Sequence, residues 1–321
     1  MSMKTRNKKK MRKLQKPWKR RVKSILKKVG LLLIAAIIFT LGKAITKDLL
    51  VKKAIRDFKA RAVFEYEENF EYAPGVFQVR KYYKVSRETS AEINDSRSAF
   101  YDETRKFIGQ TGDILVTQQS PFPQVPVIHQ FITYYFGGHA AIKSSDNRFY
   151  EAAGYPGPGD NILDAIFHDG SQPHDLTMTA SKSGTNYWLN PSYRREGTVE
   201  YQYYGSYYRP KFIGLRVKDV TEDQINGAVA YAKAQVDNDS LYNFLYFLDM
   251  KYKFYCTDLV SRAYQDVMLE PRAQRNYAQA LNDDGFITSV NDMVLSKDTY
   301  IFTYVEVIDD VVHLYYLEDV I

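Results

Sequence analysis

Cysteine is almost absent from this chain, with a single one, Cys256, in 321 residues. A lone thiol cannot close an intramolecular disulfide, so it is either buried filler or a group that does chemistry. Acidic residues are absent from the first 30 positions, which hold 14 Lys and Arg. The overall charge of +6 therefore belongs to a tail: the remaining 291 residues carry 30 basic against 38 acidic side chains, a net of −8. A body of that sign carries no nucleic-acid footprint. Histidine is scarce, with 5 residues in all. His168 and His174 flank Asp169 and Asp175, but no matching cysteine or second cluster accompanies them, so a solvated loop is expected there rather than a metal. No internal repeat is evident, and no cofactor is called for.

What is present divides the chain into four segments. Residues 1–28 form a basic cytoplasmic tail, expected to lack order or to lie on an anionic surface. Residues 29–46 form a transmembrane signal-anchor. Its uncharged part, 29–42, has 14 residues, short of the usual 20 or so, but Lys27, Lys28 and Lys43 can snorkel and let 25–45 serve. A cleaved secretory signal also fits, with Gly42-Lys43-Ala44 as its cleavage site; the Lys at the middle of that site favours retention. The basic flank keeps the N-terminal end cytoplasmic and sends the body outside.

Residues 47–109 read as a helical membrane-proximal region. Leu49, Leu50, Ala54, Phe58, Ala62 and Phe64 follow a helical period up to the Ala73-Pro74-Gly75 turn. Ile93, Phe100 and Ile108 suggest a second helix over 89–108. The main domain, 110–321, opens with a strand at 112–117. A Pro-rich loop and an aromatic run lead from it to Gly137-Gly138-His139-Ala140-Ala141-Ile142, where the glycines permit a bend or close approach. The polar turn Ser144-Ser145-Asp146-Asn147 then separates this segment from Arg148-Phe149-Tyr150-Glu151-Ala152-Ala153, a hairpin pattern. If the strands pair about Ser145, His139 stands directly opposite Glu151 on one sheet face, with Cβ atoms about 5 Å apart. A one-residue slip would separate them.

Farther on, residues 155–212 are Gly-, Pro- and Tyr-rich and read as long loops with short strands. Tyrosines crowd positions 187–208, a composition that suits amphipathic ligands or a half-buried sheet edge. Ile213 to Val217 reads as a strand, Thr221 as the N-cap of a helix through Ala228, Ala232 and Val236, and 300–307 and 311–317 as strands.

Around the thiol, Tyr252, Phe254 and Tyr255 lie upstream, while Leu259, Val260 and Ala263 repeat at helical spacing downstream. Cys256 thus falls where an extended segment becomes a helix, and the positive dipole end there favours thiolate over thiol. Asp258 sits in the first turn and faces Arg262 at i+4. A thiol nucleophile needs a base, and the base needs a third group to fix its tautomer and orientation. His139 and Glu151 supply them. Tyr255 and Tyr242 are candidates for oxyanion or substrate contacts, though packing explains both.

Four fragments in order, GDILVT at 112–117, GGHAAI at 137–142, FYEAAG at 149–154 and FYCTDLVSRAY at 254–264, resemble the YiiX/YebB-like group of NlpC-type cysteine hydrolases. The likeness covers roughly residues 110–310. It implies an α+β, permuted papain-like domain, an antiparallel sheet packed on helices, with Cys256 as nucleophile, His139 as base and Glu151 as orienting residue. Where the group carries Ser-Glu after the cysteine, this chain has Thr257-Asp258. The Tyr-rich stretch between Glu151 and Arg216 has no counterpart in that pattern. By resemblance, the expected activity is cleavage of an amide bond in peptidoglycan or another cell-envelope substrate. The alternatives are lipid acyl hydrolysis or transfer on the same fold, or an envelope-binding module without catalysis.

Overall fold

The computed structural model describes residues 3–246, 250–268, 281 and 287–320. The end of the aromatic segment, at 247–249, and the start of the tail at Phe286 lie outside them. The chain forms two compact units, Met1–Thr46 and Lys47–Ile321. The first is helical and begins α1 (Met3–Ala60). The basic stretch, expected to lack order or to lie on an anionic surface, is helical from Met3. Within α1, residues 21–60 make a helix long and apolar enough to cross a membrane.

The larger unit begins with the last turns of α1, where Val51 and Phe58 are buried, and continues through β1 (Ala62–Ala73), β2 (Val76–Val85), α2 (Ser90–Asn94), β3 (Ile114–Thr117), α3 (Pro126–Tyr135), β4 (His139–Lys143) and β5 (Phe149–Ala152). Next come α4 (Ile162–Phe167), β6 (Ala180–Lys182), α5 (Tyr201–Tyr204), β7 (Lys211–Val217), α6 (Glu222–Asp237), β8 (Leu241–Tyr242) and β9 (Lys253–Phe254). The described residues close with α7 (Cys256–Met268), α8 (Val290–Leu295), β10 (Thr299–Ile308) and β11 (Val311–Leu317). Among the described residues the strands form a nine-stranded sheet in the order β1-β2-β11-β10-β7-β3-β4-β5-β6 and a separate β8-β9 pair. In the large sheet β2 and β11 run parallel, and the other neighbours are antiparallel. The fold is therefore mixed α+β around a large, mostly antiparallel sheet. Helices α6 and α7 pack together and over β4 and β5.

Two expectations are corrected. Residues 47–109 are not a helical region outside the main domain. Helical spacing holds to Ala60, but beyond Arg61 the pattern changes to period two, and Gln78, Arg80, Tyr82 and Val85 of β2 are buried while their neighbours are not. The Ala73-Pro74-Gly75 turn joins the two strands of a hairpin, with Gly75 at φ +75. Because β2 pairs with β11, the folded unit starts at Lys47 and not at 110.

The second helix stops after five residues. Thr89 and Glu92 form a reciprocal capping box at its start. Beyond it, the Arg97 amide donates to Asp95 Oδ1, the Phe100 amide to Ser98 Oγ and the Thr104 amide to Asp102 Oδ1. These local side-chain acceptors take amides a helix would need.

Elsewhere the pattern is followed closely. Thr221 and Gln224 form a capping box on α6, β10 and β11 occupy the positions read as strands, and Cys256 is the first residue of α7. The aromatic run before Gly137 is helix α3, and residues 155–212 hold the short helices α4 and α5 as well as β6.

Candidate active site

The β4–β5 hairpin does not turn about Ser145. Lys143 pairs with Phe149 and Ile142 with Tyr150, so the centre is Asp146, and Asn147 takes a left-handed φ of 59° to close the turn. Continuing that register puts Ala141 opposite Glu151, leaving His139 diagonal to Glu151 rather than facing it. The displacement is two residues, an even number, so both side chains stay on one face. Diagonal neighbours remain within reach of long side chains, and His139 Nε2 lies 2.7 Å from Glu151 Oε2.

That contact occupies Nε2 and leaves Nδ1 as the nitrogen available to the Cys256 thiol, which lines the same cleft. Burial works to lower the imidazole pKa. Interaction with Cys256 and Glu151 outweighs it and pushes the group up to about 9. The arrangement therefore favours a protonated imidazole beside Glu151.

Cys256 is partly exposed at the first position of α7. The Leu259 amide is bonded to the Tyr255 carbonyl, and the amides ahead of it fall in the first turn, where an α-helix supplies no internal acceptor. They are the amides of the turn that opens at Cys256. The first turn is anchored by Thr257 Oγ1, which donates to the Thr288 carbonyl at 2.6 Å, and by Asp258, which accepts from Arg262 Nε at 2.8 Å. The predicted i+4 pair is thus present, with Asp258 buried and Arg262 partly so.

The glycines before His139 serve packing. Gly137 has φ +82, and a Cβ there would come within 2.4 Å of Val290 Cβ. At Gly138 a Cβ would lie 1.8 Å from the Gln119 carbonyl oxygen, so only glycine lets the strand beginning at His139 run this close to the segment after β3.

Cys256, His139 and Glu151 line one cleft of about 390 Å³, together with Tyr242 and Tyr255. The Tyr255 hydroxyl accepts from the Thr288 amide at 3.0 Å, and that of Tyr242 shares a hydrogen bond with Tyr246 at 3.3 Å. Burial drives both phenols well above their ordinary pKa, so they stay protonated and able to donate. The remaining walls include Phe122, Ile132, Phe136, Ile162 and Phe244.

Sequence reasoning missed the wall behind the His–Glu pair. The Tyr187 hydroxyl donates to Glu151 Oε2, the Trp188 ring lies near-parallel to His139 at 6.4 Å, and Tyr208 meets it edge-on at 6.1 Å. The clustered tyrosines at 187–208 were the available signal, but nothing in their spacing linked them to a hairpin some 40 residues earlier. His168 and His174, in contrast, stand outside the cleft lining. Their rings lie 5.2 Å apart, with His168 Nδ1 accepting from the Gly170 amide and His174 Nε2 placed 3.1 Å from the Asp239 carbonyl.

Comparison with family models, with curated proteins and with solved structures returns no match to this chain.

Proposed function

We propose that the protein is a thiol hydrolase that attacks an amide or ester carbonyl through Cys256. What supports this is the cleft itself: a thiol at a helix start shares it with an imidazole whose Nε2 is held 2.7 Å from a carboxylate. In the reaction, His139 carries the proton taken from the Cys256 thiol, and the thiolate adds to the carbonyl carbon. First-turn amides of α7 stabilise the oxyanion. Collapse of the intermediate expels the leaving group, which receives the proton from His139, and a thioester remains on Cys256. A water molecule deprotonated by His139 then adds to the thioester, releasing the acid and restoring the thiol. Glu151 keeps the imidazole oriented and offsets its positive charge throughout.

The resemblance to the YiiX/YebB-like hydrolases, with their permuted papain-like fold, agrees with this assignment of roles. Taken with residues 29–46 as a signal-anchor and a body outside the membrane, it makes a cell-envelope amide, such as a peptidoglycan peptide, the first substrate class. The aromatic and aliphatic cleft walls favour a second, an acyl-lipid ester. Digestion of purified muropeptides and acyl-lipids by wild type and by Cys256→Ala decides between them. Product from one class, lost in the mutant, identifies the substrate; no Cys256-dependent product from either, and no labelling of Cys256 by a thiol-directed probe, leaves an envelope-binding module.

A further inference from the structure

The cleft holds a cation that the mechanism above does not use. Arg209 lines it and is 3% exposed. Its Nε and Nη1 donate to the carbonyls of Gln119 and Tyr208, both at 3.1 Å. The rings of Tyr204 and Tyr208 lie 4.7 and 4.8 Å from the guanidinium carbon, and the Tyr155 hydroxyl is a further neighbour. Among the described residues no carboxylate forms an ion pair with it.

Arg194 stands nearby in a similar state. Its Nη1 donates to the carbonyls of Tyr207 and Tyr208, and its charge faces the rings of Tyr193, Tyr204 and Tyr208. Burial and the charge of Arg209 together hold it below the ordinary arginine range.

Other buried arginines are treated differently. Arg216 is bonded to both oxygens of Asp113 at 2.9 and 3.0 Å, and Arg262 to Asp258. Arg80 has no acid but uses Nε, Nη1 and Nη2 on Gln78, Arg105 and Lys106. Glu151, the acid that shares the cleft with Arg209, is already bound to His139 and Tyr187. A desolvated guanidinium without a counter-ion is costly unless a partner arrives from outside, and its planar fork matches carboxylate and phosphate oxygens.

We propose that Arg209 is a specificity residue that binds an anionic group, a carboxylate or a phosphate, carried by the compound whose carbonyl Cys256 attacks. Two donors fix the guanidinium to the backbone, and the tyrosine rings hold its plane, so the fork is preorganised. The Gln119 carbonyl it grips is the same atom against which Gly138 packs, which ties the anion site to the strand that carries His139. Recognition of this kind selects an amphipathic substrate, with its acyl body against the aromatic walls and its anion at Arg209.

The inference rests on the hydrolase reading, and the test separates the two. Full-length protein in detergent is assayed on three p-nitrophenyl esters of matched chain length: neutral, ω-carboxylate and ω-phosphate. Wild type should favour one anionic ester over the neutral one by roughly tenfold or more in kcat/KM, and Arg209→Gln should remove that preference through KM, by about 10- to 100-fold, as expected for hydrogen bonds to a charged group. Which ester is favoured separates carboxylate from phosphate. Circular dichroism and a urea melt report whether the variant is folded; if the glutamine variant does not fold, Arg209→Lys should fold and lose part of the preference. Calorimetric binding of glutarate and of a short alkyl phosphate to Cys256→Ala reads the site without turnover. If no ester is hydrolysed but an anion binds and Arg209→Gln abolishes binding, the hydrolase reading fails and the anion site stands. Equal discrimination in wild type and Arg209→Gln, or no anion binding by Cys256→Ala, overturns the proposal.

Discussion

His139 and Glu151 stand two residues out of direct opposition in the β4–β5 hairpin, yet Nε2 and Oε2 are 2.7 Å apart. The diagonal geometry makes the pair depend on side-chain length and on the Tyr187 hydroxyl more than on the ladder.

Stability should therefore respond to pH through His139. Its folded pKa is raised from 6.5 to about 9, so its contribution is complete below the unfolded value of 6.5 and is lost as pH rises through 9. A displacement of that size corresponds to about 3 kcal/mol. Urea melts at pH 6 and pH 9.5 should show a loss of this order in wild type and a clearly smaller one in Glu151→Gln. The same variant should lower kcat on the order of 10²-fold; an unchanged rate would remove Glu151 from the mechanism.

Tyr187→Phe deletes the hydroxyl that donates to Glu151. A hydrogen bond to a charged acceptor contributes about 1.5–3 kcal/mol, and the variant should lose stability within that range. In a steady-state assay kcat should fall more than KM changes, because Tyr187 acts through Glu151 and not on substrate. A pure KM effect would make it a substrate contact instead.

Gly138→Ala puts a methyl group 1.8 Å from a backbone oxygen, with no flexible side chain able to give way. The strand must shift, and a destabilisation of at least about 4 kcal/mol is expected. Denaturant titration measures it, and a loss below 1 kcal/mol would mean that the segments beside Gly138 separate easily.

The apolar N-terminal helix should hold the protein in membranes against carbonate extraction. Ile34→Lys together with Ile37→Lys adds two charges at about 2.5–3.5 kcal/mol each near a helix centre, and the doubly substituted protein should appear in the soluble fraction. Continued resistance to extraction would show that residues 29–46 are not the anchor.

Much of the site could be read from local pattern. The thiol at the start of α7 follows from apolar spacing after an aromatic run, and the Asp258–Arg262 pair from an i+4 offset. The parity of the hairpin survived an error in its centre, because a two-residue shift leaves each side chain on the same face. What local pattern misjudged were segments whose partners are distant. Residues 62–73 were read as continuing a helix because the hairpin they form with β2 is held in the sheet by β11, which lies more than 220 residues later. The helix expected over 89–108 ends early because Asp95, Ser98 and Asp102 compete for its amides, and Tyr300 and Arg216 hold Asp95 from across the fold.

The sequence by itself determined the charge division between tail and body, the single nucleophile candidate, the helix cap at Thr221 and the turn residues, since each depends on chemistry within a few positions. Only the tertiary structure decided that Tyr187 and Trp188 enclose the His139–Glu151 pair, that Gly138 must be glycine, and that Arg209 enters the cleft without an acid beside it. Those are relations between side chains brought together by sheet order and loop path, and spacing along one chain does not encode distance across a fold.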